Sequence, residues 1–427
     1  MAHASLDTDL SRRFFAPIND IYPETDRQYN CSGISDIHFA QLGTLRALGT
    51  ATTGQEFLQN HADHDVANID PGHFFKSLSS ARRLANLTSF NDQLAGVMNG
   101  KVPDPYAQCS ELDGWDLYAV DGHYHRAACF DPKIVDSKGV PKKFATGHFF
   151  RMDMRTHHMS CFPLAVPPDG KKKVHDVRAI KRSSAKELRN GASKGRKVML
   201  VWDKACIDSH LWHALKHTYS VYFLSMEKSN SAAEIISTDL LDDTEPRNEG
   251  VVSDQFVGTS NGVQLRRIVY INPEDGVKYV YLTNEFNLPA YQLVLLYKHR
   301  WDIEKIFNQF KSKLKERKSW GSSPEAKQNQ AVFTCLAANL LLLFECQMIT
   351  EEGLRDEVEV KKKKGRRRPG SQKPGADQAA RNFINSAVTR ATQRTQRFIR
   401  WIAVRIYQKA PWSESLALLR KHWGMPA

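Results

Sequence analysis

The sequence predicts a mixed α/β fold with helical segments at both ends of the chain. Residues 35–100 follow a helical period, with cap and turn residues between the segments. From about residue 115 the apolar residues recur with the two-residue period of strands, and helical patterns return at Leu288-Pro289. Strand patterns that alternate with helical patterns predict a sheet flanked by helices.

The first hundred residues are predicted to form a small helical domain. Residues 1–30 are mixed in composition and are expected to be loosely held. Asp70-Pro71-Gly72 is a helix start signal, and the basic residues Lys76, Arg82 and Arg83 follow it. A helix-turn-helix that binds DNA is only one alternative here, because basic amphipathic helices are common and do not by themselves indicate DNA binding.

Several strands are predicted in the middle of the chain. WDLYAV (115–120) is a short strand that ends at Asp121, and the alternation in HFFRMDMRT (148–156) is typical of a half-buried strand. Residues 165–176 suggest a strand, a turn and a helix start. KVMLVWD (197–203) reads as a fully buried strand ending at Asp203, followed by a helix and then by the strand SVYFLSM (220–226).

The remainder alternates between a hairpin and helices. Residues 227–250 are polar and turn-rich, and GVQLRRIVYI and GVKYVYLTN on either side of NPEDG predict a hairpin. Helices are expected from residue 288 to about 318 and again from Ser323-Pro324-Glu325. The apolar run at 331–344 predicts a core helix. The basic segment 361–375 predicts a linker or exposed loop before a C-terminal helical region.

Composition suggests a polyanionic partner and a reducing compartment. The 427 residues carry 60 Lys and Arg against 47 Asp and Glu, a net charge of +13. Such an excess attracts nucleic acid, although a basic surface can also serve only solubility. The seven cysteines have no zinc-like spacing, which indicates free thiols in a cytoplasm. No secretory signal is visible and no membrane association is expected.

The stretch YKHRWDIEKIFNQFK (297–311) predicts a helix with two functional faces. At about 100° per residue, Tyr297, Arg300, Glu304 and Lys311 fall within an arc of about 60°, whereas Asp302 points away. Apolar residues form a separate stripe that would pack the helix onto a core. The alternative is that Arg300 and Glu304 make only a routine ion pair.

Two aspartates at predicted strand ends support a metal-binding role for Glu304. Asp121 and Asp203 each lie where an apolar strand gives way to polar sequence. Alone, such a residue is more often a turn or cap residue. Together with Glu304, the two supply the oxygen ligands that Mg²⁺ prefers. Five other acidic residues compete for this role: Asp113, Asp116, Asp153, Asp176 and Asp208.

The spacing Tyr-x2-Arg-x3-Glu-x6-Lys resembles the signature of bacterial insertion-sequence transposases of family four. The flanking LTN and LYKHRWDIEKIFNQFK are similar too, as is the order strand-Asp, strand-Asp, β-rich insertion and helix with Glu. The resemblance covers roughly residues 110–350. It implies an RNase H-like mixed sheet flanked by helices and interrupted by a β-rich insertion.

The resemblance also implies residue roles. Asp121, Asp203 and Glu304 would be catalytic and would bind two Mg²⁺ ions, for which Mn²⁺ can substitute. Tyr297, Arg300 and Lys311 would contact DNA phosphates. The implied reaction is nicking at the element's ends and strand transfer into target DNA, commonly by cut-and-paste through a hairpin. The partners would be double-stranded DNA and a second protomer in the synaptic complex, in the bacterial cytoplasm at the nucleoid.

The resemblance suggests five regions: an N-terminal helical, DNA-binding domain (1–108), the first part of the catalytic core (109–226), the insertion (227–286), the second part of the core (287–350) and a basic linker with a C-terminal helical region (351–427).

The sequence departs from the family pattern at a residue used to form the DNA hairpin. Some relatives stack a flipped base on an insertion Trp, but residues 213–296 contain none. Tyr279 or Tyr281 is the possible substitute.

Other candidates carry less weight. His123 and His125 are expected to pack in the interior rather than contact DNA, and Trp301 is expected to pack rather than stack on a base. Two alternative functions stay open: an RNase H-like nuclease without strand transfer, and a DNA-binding relative that has lost catalysis.

Overall fold

The computed structural model describes most of the chain. The described residues are 8–21, 34–49, 53–63, 70–131, 135, 139, 145–164, 180–204, 208–228, 231, 233–238, 241–308, 318–354 and 396–423. The predictions for residues 165–176 and for the basic segment 361–375 therefore fall outside the described residues.

In the described part of the chain, five α-helices precede the sheet. Asp70 caps α4 by accepting a hydrogen bond from the His73 amide, with Pro71 in the first turn, as its sequence predicted. The expectation that residues 1–30 are loosely held is wrong for α1, because its apolar face is buried. The helices are α1 (Asp9–Ile21), α2 (Asp36–Leu48), α3 (Gly54–Asp63), α4 (Pro71–Leu78) and α5 (Ala81–Met98).

The centre of the molecule is one nine-stranded mixed sheet, which confirms the predicted α/β, RNase H-like class. Its spatial order is β3-β2-β1-β4-β5-β9-β8-β7-β6. β1 pairs in parallel with β4, and β4 with β5, whereas the other neighbours are antiparallel. The first five strands are β1 (Trp115–Arg126), β2 (Ala145–Asp153), β3 (Met159–Cys161), β4 (Lys197–Val201) and β5 (Val221–Met226).

The predicted hairpin is β8 and β9, and it belongs to a four-stranded extension of the sheet. β7 and the short β6 were not predicted, because the alternation in their sequences is weak and polar residues surround them. The four strands are β6 (Glu234–Thr238), β7 (Val251–Gly258), β8 (Gln264–Ile271) and β9 (Lys278–Thr283). Since β9 pairs with β5, the insertion continues the sheet of the core rather than forming a separate one.

Helices cover the sheet and complete the chain. α10 begins after Ser323, whose hydroxyl accepts from the Ala326 amide as the sequence predicted. The remaining helices are α6 (Ala185–Leu188), α7 (Ser209–Tyr219), α8 (Ala290–His299), α9 (Trp301–Asn308), α10 (Pro324–Glu352), α11 (Gln396–Arg405) and α12 (Trp412–Trp423).

The apolar helix α10 is a core helix, as predicted. Among the described residues it is the helix that is long and apolar enough to cross a membrane, but 72% of its most apolar window is buried. The N-terminal helices α2 and α5 pack against it, as do α1 and β3. Burial inside the protein therefore explains its hydrophobicity.

Two apolar clusters lie on opposite faces of the sheet. Met199 and Val201 of β4 point into the cluster shared with the terminal helices, α8 and α10. Val198 and Leu200 point into a second cluster that contains Trp212 of α7. β4 is therefore buried on both faces, as the near-continuous apolar run predicted.

The half-buried pattern predicted for β2 is wrong. Arg151, expected on the exposed face, is 5% exposed. Its guanidinium lies over the Tyr118 ring and its Nε donates to Ser160 Oγ at 2.9 Å. The long side chain is satisfied inside the protein, so alternation with charged residues did not mark a solvent-facing side.

His158, at the turn into β3, makes folding depend on pH. Burial lowers its pKa to about 4, even though its Nε2–H donates to the Asn91 carbonyl at 2.7 Å. Between about pH 6.5 and pH 4 the unfolded chain therefore binds the extra proton, so stability falls as pH falls through this window. We expect a loss of roughly 3 kcal/mol from this residue.

Urea unfolding of the wild type and of His158→Gln between pH 7 and pH 4 measures this effect. The variant should show a shallower dependence on pH, whereas His73→Gln, which removes an exposed histidine, should match the wild type. An identical slope in wild type and His158→Gln would contradict the prediction.

Candidate active site

Asp121 lies where two strand pairings separate. The last residue pair between β1 and β4 is Ala119 with Val201, and Asp121 follows two residues later. The prediction that the strand ends at Asp121 is wrong, because residues 121–126 continue in antiparallel pairing with β2. The loss of the β4 neighbour still opens one side of β1 at this point, so Asp121 lies at a gap in the sheet.

Asp203 lies at the same edge of the sheet. It comes two residues after β4, which ends at Val201 rather than at Asp203 as predicted. Its carbonyl oxygen accepts a hydrogen bond from Ser225 Oγ of β5 at 2.7 Å. Because β1 and β4 are parallel, the backbone positions of Asp121 and Asp203 are neighbours at the carboxyl end of β4.

Glu304 reaches this edge from α9. Its Oε1 lies 2.7 Å from Nη2 of Arg300, one helical turn earlier. The Arg300 side chain is 5% exposed and that of Glu304 is 30% exposed. α8 ends at His299 and α9 begins at Trp301, so Arg300 occupies the junction between the two helices.

The carboxylates of Glu304 and Asp203 both affect the pKa of Asp121. Burial raises the pKa of Asp121 to about 7; the Arg300 charge lowers it, and the Glu304 and Asp203 carboxylates raise it further. An effect of both acids on Asp121 requires that all three lie in one electrostatic neighbourhood. The sequence-predicted acids are thus brought together from β1, the end of β4 and α9.

The donor chemistry of this neighbourhood suits a hard divalent cation. Carboxylate oxygens are the ligands that Mg²⁺ prefers, and clustered negative charge is costly without a cation. Within the described ranges no three acidic, histidine or cysteine side chains are placed to hold one ion. Glu304 is directed to Arg300 instead, so an ion would require the carboxylates to draw together.

Arg300 presents unused donors at the same place. In the described part of the chain, its buried Nε and Nη1 have no hydrogen-bond partner. Tyr297 lies beside it, with the guanidinium 5.3 Å from the ring centroid, and is itself buried against Tyr281. Burial raises the pKa of the Tyr297 phenol. Unpaired guanidinium donors beside carboxylates are suited to an anionic group such as a phosphate.

The other site candidates from the sequence either lie outside the described residues or have structural partners. Lys311 lies outside the described residues, as does Asp176. Asp116 binds Arg196 at 2.7 Å, Asp153 accepts from the backbone of the following turn, and Asp208 caps α7 while it contacts Lys181. These three competitors have structural partners.

The histidines behave as predicted, with one addition. His123 and His125 are buried, with their rings 4.9 Å apart, and His123 stacks on Phe307 of α9. His148 of β2 pairs with His123 and completes the buried cluster. The sequence did not predict His148 as their neighbour, because cross-strand register cannot be read from local pattern.

One aromatic prediction is wrong, and one of the two candidate base-stacking tyrosines is buried. Trp301, expected to pack, has 55% of its surface exposed. Tyr281, a possible base-stacking residue, is 1% exposed and packs on Tyr297.

In the N-terminal region, Arg82 binds Asp36 and Arg83 is buried, so this basic cluster is largely engaged within the protein.

Comparison with known proteins gives the family. The family model for the transposase DDE domain matches residues 117–340, more than half of the chain. The chain belongs to the DDE transposases. The matched region runs from β1 into α10 and contains Asp121, Asp203 and Glu304. Members of this family act on DNA and generally use divalent metal ions.

A curated relative agrees with this assignment. "Putative transposase y4zB" of Sinorhizobium fredii (strain NBRC 101917 / NGR234) is 28% identical to the transposase over 165 residues. The alignment covers 36% of this chain and 46% of the relative, so the chain spans less than half of that protein's length.

Proposed function

We propose that this transposase nicks DNA at the ends of an insertion sequence of family four and joins them to target DNA by cut-and-paste. The observation that carries the proposal is the meeting of three carboxylates from separate elements beside a buried arginine with unused donors. Carboxylates can hold the metal ions of phosphodiester chemistry, and guanidinium donors can stabilise the negative charge that develops on the phosphate as bonds change.

The carboxylates have a defined role in this proposal. Asp121, Asp203 and Glu304 hold two Mg²⁺ ions, and Mn²⁺ can replace them. When bound, the ions would activate a water or a 3′-hydroxyl and stabilise the leaving oxygen. Before metal and DNA bind, Glu304 is paired with Arg300, and binding of the ions would draw its carboxylate toward Asp121 and Asp203.

The basic stripe binds the substrate. Arg300 exposes its buried Nε and Nη1 donors, which have no partner among the described residues, to a backbone phosphate when the transposon end binds. Tyr297 supports the guanidinium through its ring, and Lys311 contacts a second phosphate. A tight pair between Arg300 and Glu304 then holds both groups until DNA and metal compete for them.

The partners follow from the reaction. They are the double-stranded inverted repeats, the target DNA and a second protomer in the synaptic complex, in the bacterial cytoplasm at the nucleoid. The N-terminal helical region 1–108 and the C-terminal region 351–427 contribute DNA binding or assembly, while 109–226 and 287–350 form the catalytic core around the insertion 227–286. A net charge of +13 supports contact with DNA beyond the active site.

A supercoiled plasmid that carries the DNA flanking the gene tests the function. We expect nicking at inverted repeats that depends on Mg²⁺, and joining of a pre-cleaved end with a free 3′-hydroxyl to a second DNA. Nicking without joining would indicate a nuclease. Binding without either reaction would indicate a relative that has lost catalysis.

Arg300→Lys tests the phosphate contact. Lysine keeps the charge but loses the planar set of donors, so we expect nicking to slow by about 100-fold. Single-turnover nicking at saturating DNA measures this. Arg196→Lys, which alters an arginine that binds Asp116 just before β4, at the end of the strand away from Asp203, should nick at the wild-type rate. Equal rates for Arg300→Lys and wild type would remove Arg300 from the site.

A further inference from the structure

The face of the catalytic helices opposite Glu304 is also polar. His299 and Asp302 lie about 140° and 160° around the helix axis from Glu304. Both are buried, at 5% and 2% exposure. Buried polar groups are costly unless they are partnered, so their contacts show what this face of the helix is attached to.

His299, the last residue of α8, is attached to the segment before β1. Its Nδ1 is hydrogen-bonded to the Tyr106 hydroxyl at 2.5 Å, and both side chains are buried. The Arg155 guanidinium lies over the Tyr106 ring, and Arg155 also binds Asp104 at 2.7 Å. Tyr106 is thus fixed from two sides and offers His299 a rigid partner.

Asp302, in the first turn of α9, is attached to the turn between β2 and β3. Its Oδ1 lies 2.5 Å from Lys305 Nζ, and its Oδ2 lies 3.9 Å from Nε2 of His157. His157 has a φ of 57°, in the left-handed region that residues with a side chain rarely occupy. Such backbone persists only where surrounding contacts hold it, and it is frequent near functional sites.

These two attachments flank the helix junction. Arg300 separates His299 from Asp302, and the direction that α9 takes at Arg300 decides where Glu304 lies relative to Asp121 and Asp203. We propose that Tyr106 and His157 are positioning residues that hold α8 and α9 at this junction, so that Glu304 faces the two aspartates. The inference rests on the proposed function, because it assigns Glu304 to the reacting centre.

The two residues act on the rate rather than on DNA binding. Their described contacts with these helices are to His299 and Asp302, on the face opposite Glu304, so affinity for DNA should be unchanged. A displacement of about 1 Å at a catalytic group can slow a reaction by about 100-fold. We therefore expect slower chemistry in a protein that is folded and binds its substrate.

Three substitutions test this. Tyr106→Phe removes only the hydroxyl that binds His299. His157→Gly removes the imidazole but suits the left-handed backbone, and His157→Asn suits that backbone while it keeps a polar side chain. The matched control is Ser220→Gly, at the other described residue with a side chain and positive φ (53°), which ends α7.

We measure the DNA affinity and the Tm of each variant. Its single-turnover nicking rate is then measured at saturating DNA and at a temperature well below that Tm. Tyr106→Phe and His157→Gly should nick about 10- to 100-fold more slowly with unchanged affinity. His157→Asn should recover part of the rate, and Ser220→Gly should match the wild type. Wild-type rates in the first two variants, or a loss confined to DNA affinity, would overturn the positioning role.

Glu304→Gln in the same assay separates this inference from the function on which it rests. If Glu304→Gln stops nicking while Tyr106→Phe and His157→Gly nick normally, the positioning role is wrong and the proposed function stands. If Glu304→Gln nicks normally, Glu304 is not at the reacting centre and the positioning role falls with that assignment. If the wild type itself does not nick, the proposed function is wrong.

Discussion

Glu304→Gln is expected to reduce DNA nicking by more than about 100-fold. Losing a group that only orients a metal ligand commonly costs 10- to 100-fold, and Glu304 would contact the metal itself. Glutamine keeps the size of the side chain but removes its charge, so the ion would lose one of three carboxylates. The same direction of effect is expected for Asp121→Asn and Asp203→Asn.

The measurement is the single-turnover nicking rate with Mg²⁺, compared at equal DNA occupancy. Glu187→Gln is the matched control, because this carboxylate caps α6, before β4, and glutamine can accept the same hydrogen bond from Ser184. It should nick like the wild type. Full activity in Glu304→Gln would show that the acids meet for a reason other than catalysis.

Arg266→Met is expected to lower the free energy of unfolding by about 3–5 kcal/mol. Arg266 of β8 makes two hydrogen bonds with the Asp254 carboxylate of β7, at 2.8 and 2.5 Å, and both side chains are buried. Its third contact is with the Leu288 carbonyl at 2.6 Å, just before α8. Methionine would leave the Asp254 charge buried without its partner.

Equilibrium urea unfolding measures this loss. Arg267→Met is the matched control, since the neighbouring arginine binds Glu227 at 2.9 Å in a more exposed position. Its loss should be well below that of Arg266→Met. Arg266 joins β8 to the segment just before α8. If both variants lost the same free energy of unfolding, the buried ion pair would contribute no more to stability than the more exposed one.

The local patterns predicted much of the fold. The near-continuous apolar run at 197–203 predicted a strand buried on both faces, and β4 has apolar clusters on either side. Asp70 and Ser323 predicted helix starts, and both cap a helix. These signals succeed because burial period and capping depend on residues a few positions apart.

The errors share a physical cause. β1 continues through Asp121 because β2 pairs with it, and Arg151 is buried because Tyr118 and Ser160 receive its guanidinium. Trp301 is exposed although its sequence neighbours include packing residues. In each case a distant segment decides whether a residue is paired, covered or open, and local periodicity contains no information about that segment.

The sequence by itself determined the acids and the helical face that carries Glu304. Residue type and a period of 3.6 are enough to place Tyr297, Arg300 and Glu304 on one side and Asp302 on another. Only the tertiary structure decided that Glu304 and Asp203 lie close enough to raise the pKa of Asp121, and that Tyr106 and His157 contact the opposite face of the helices. Those relations depend on parallel pairing of β1 with β4 and on contacts across about 150 to 200 residues of chain, which only folding brings together.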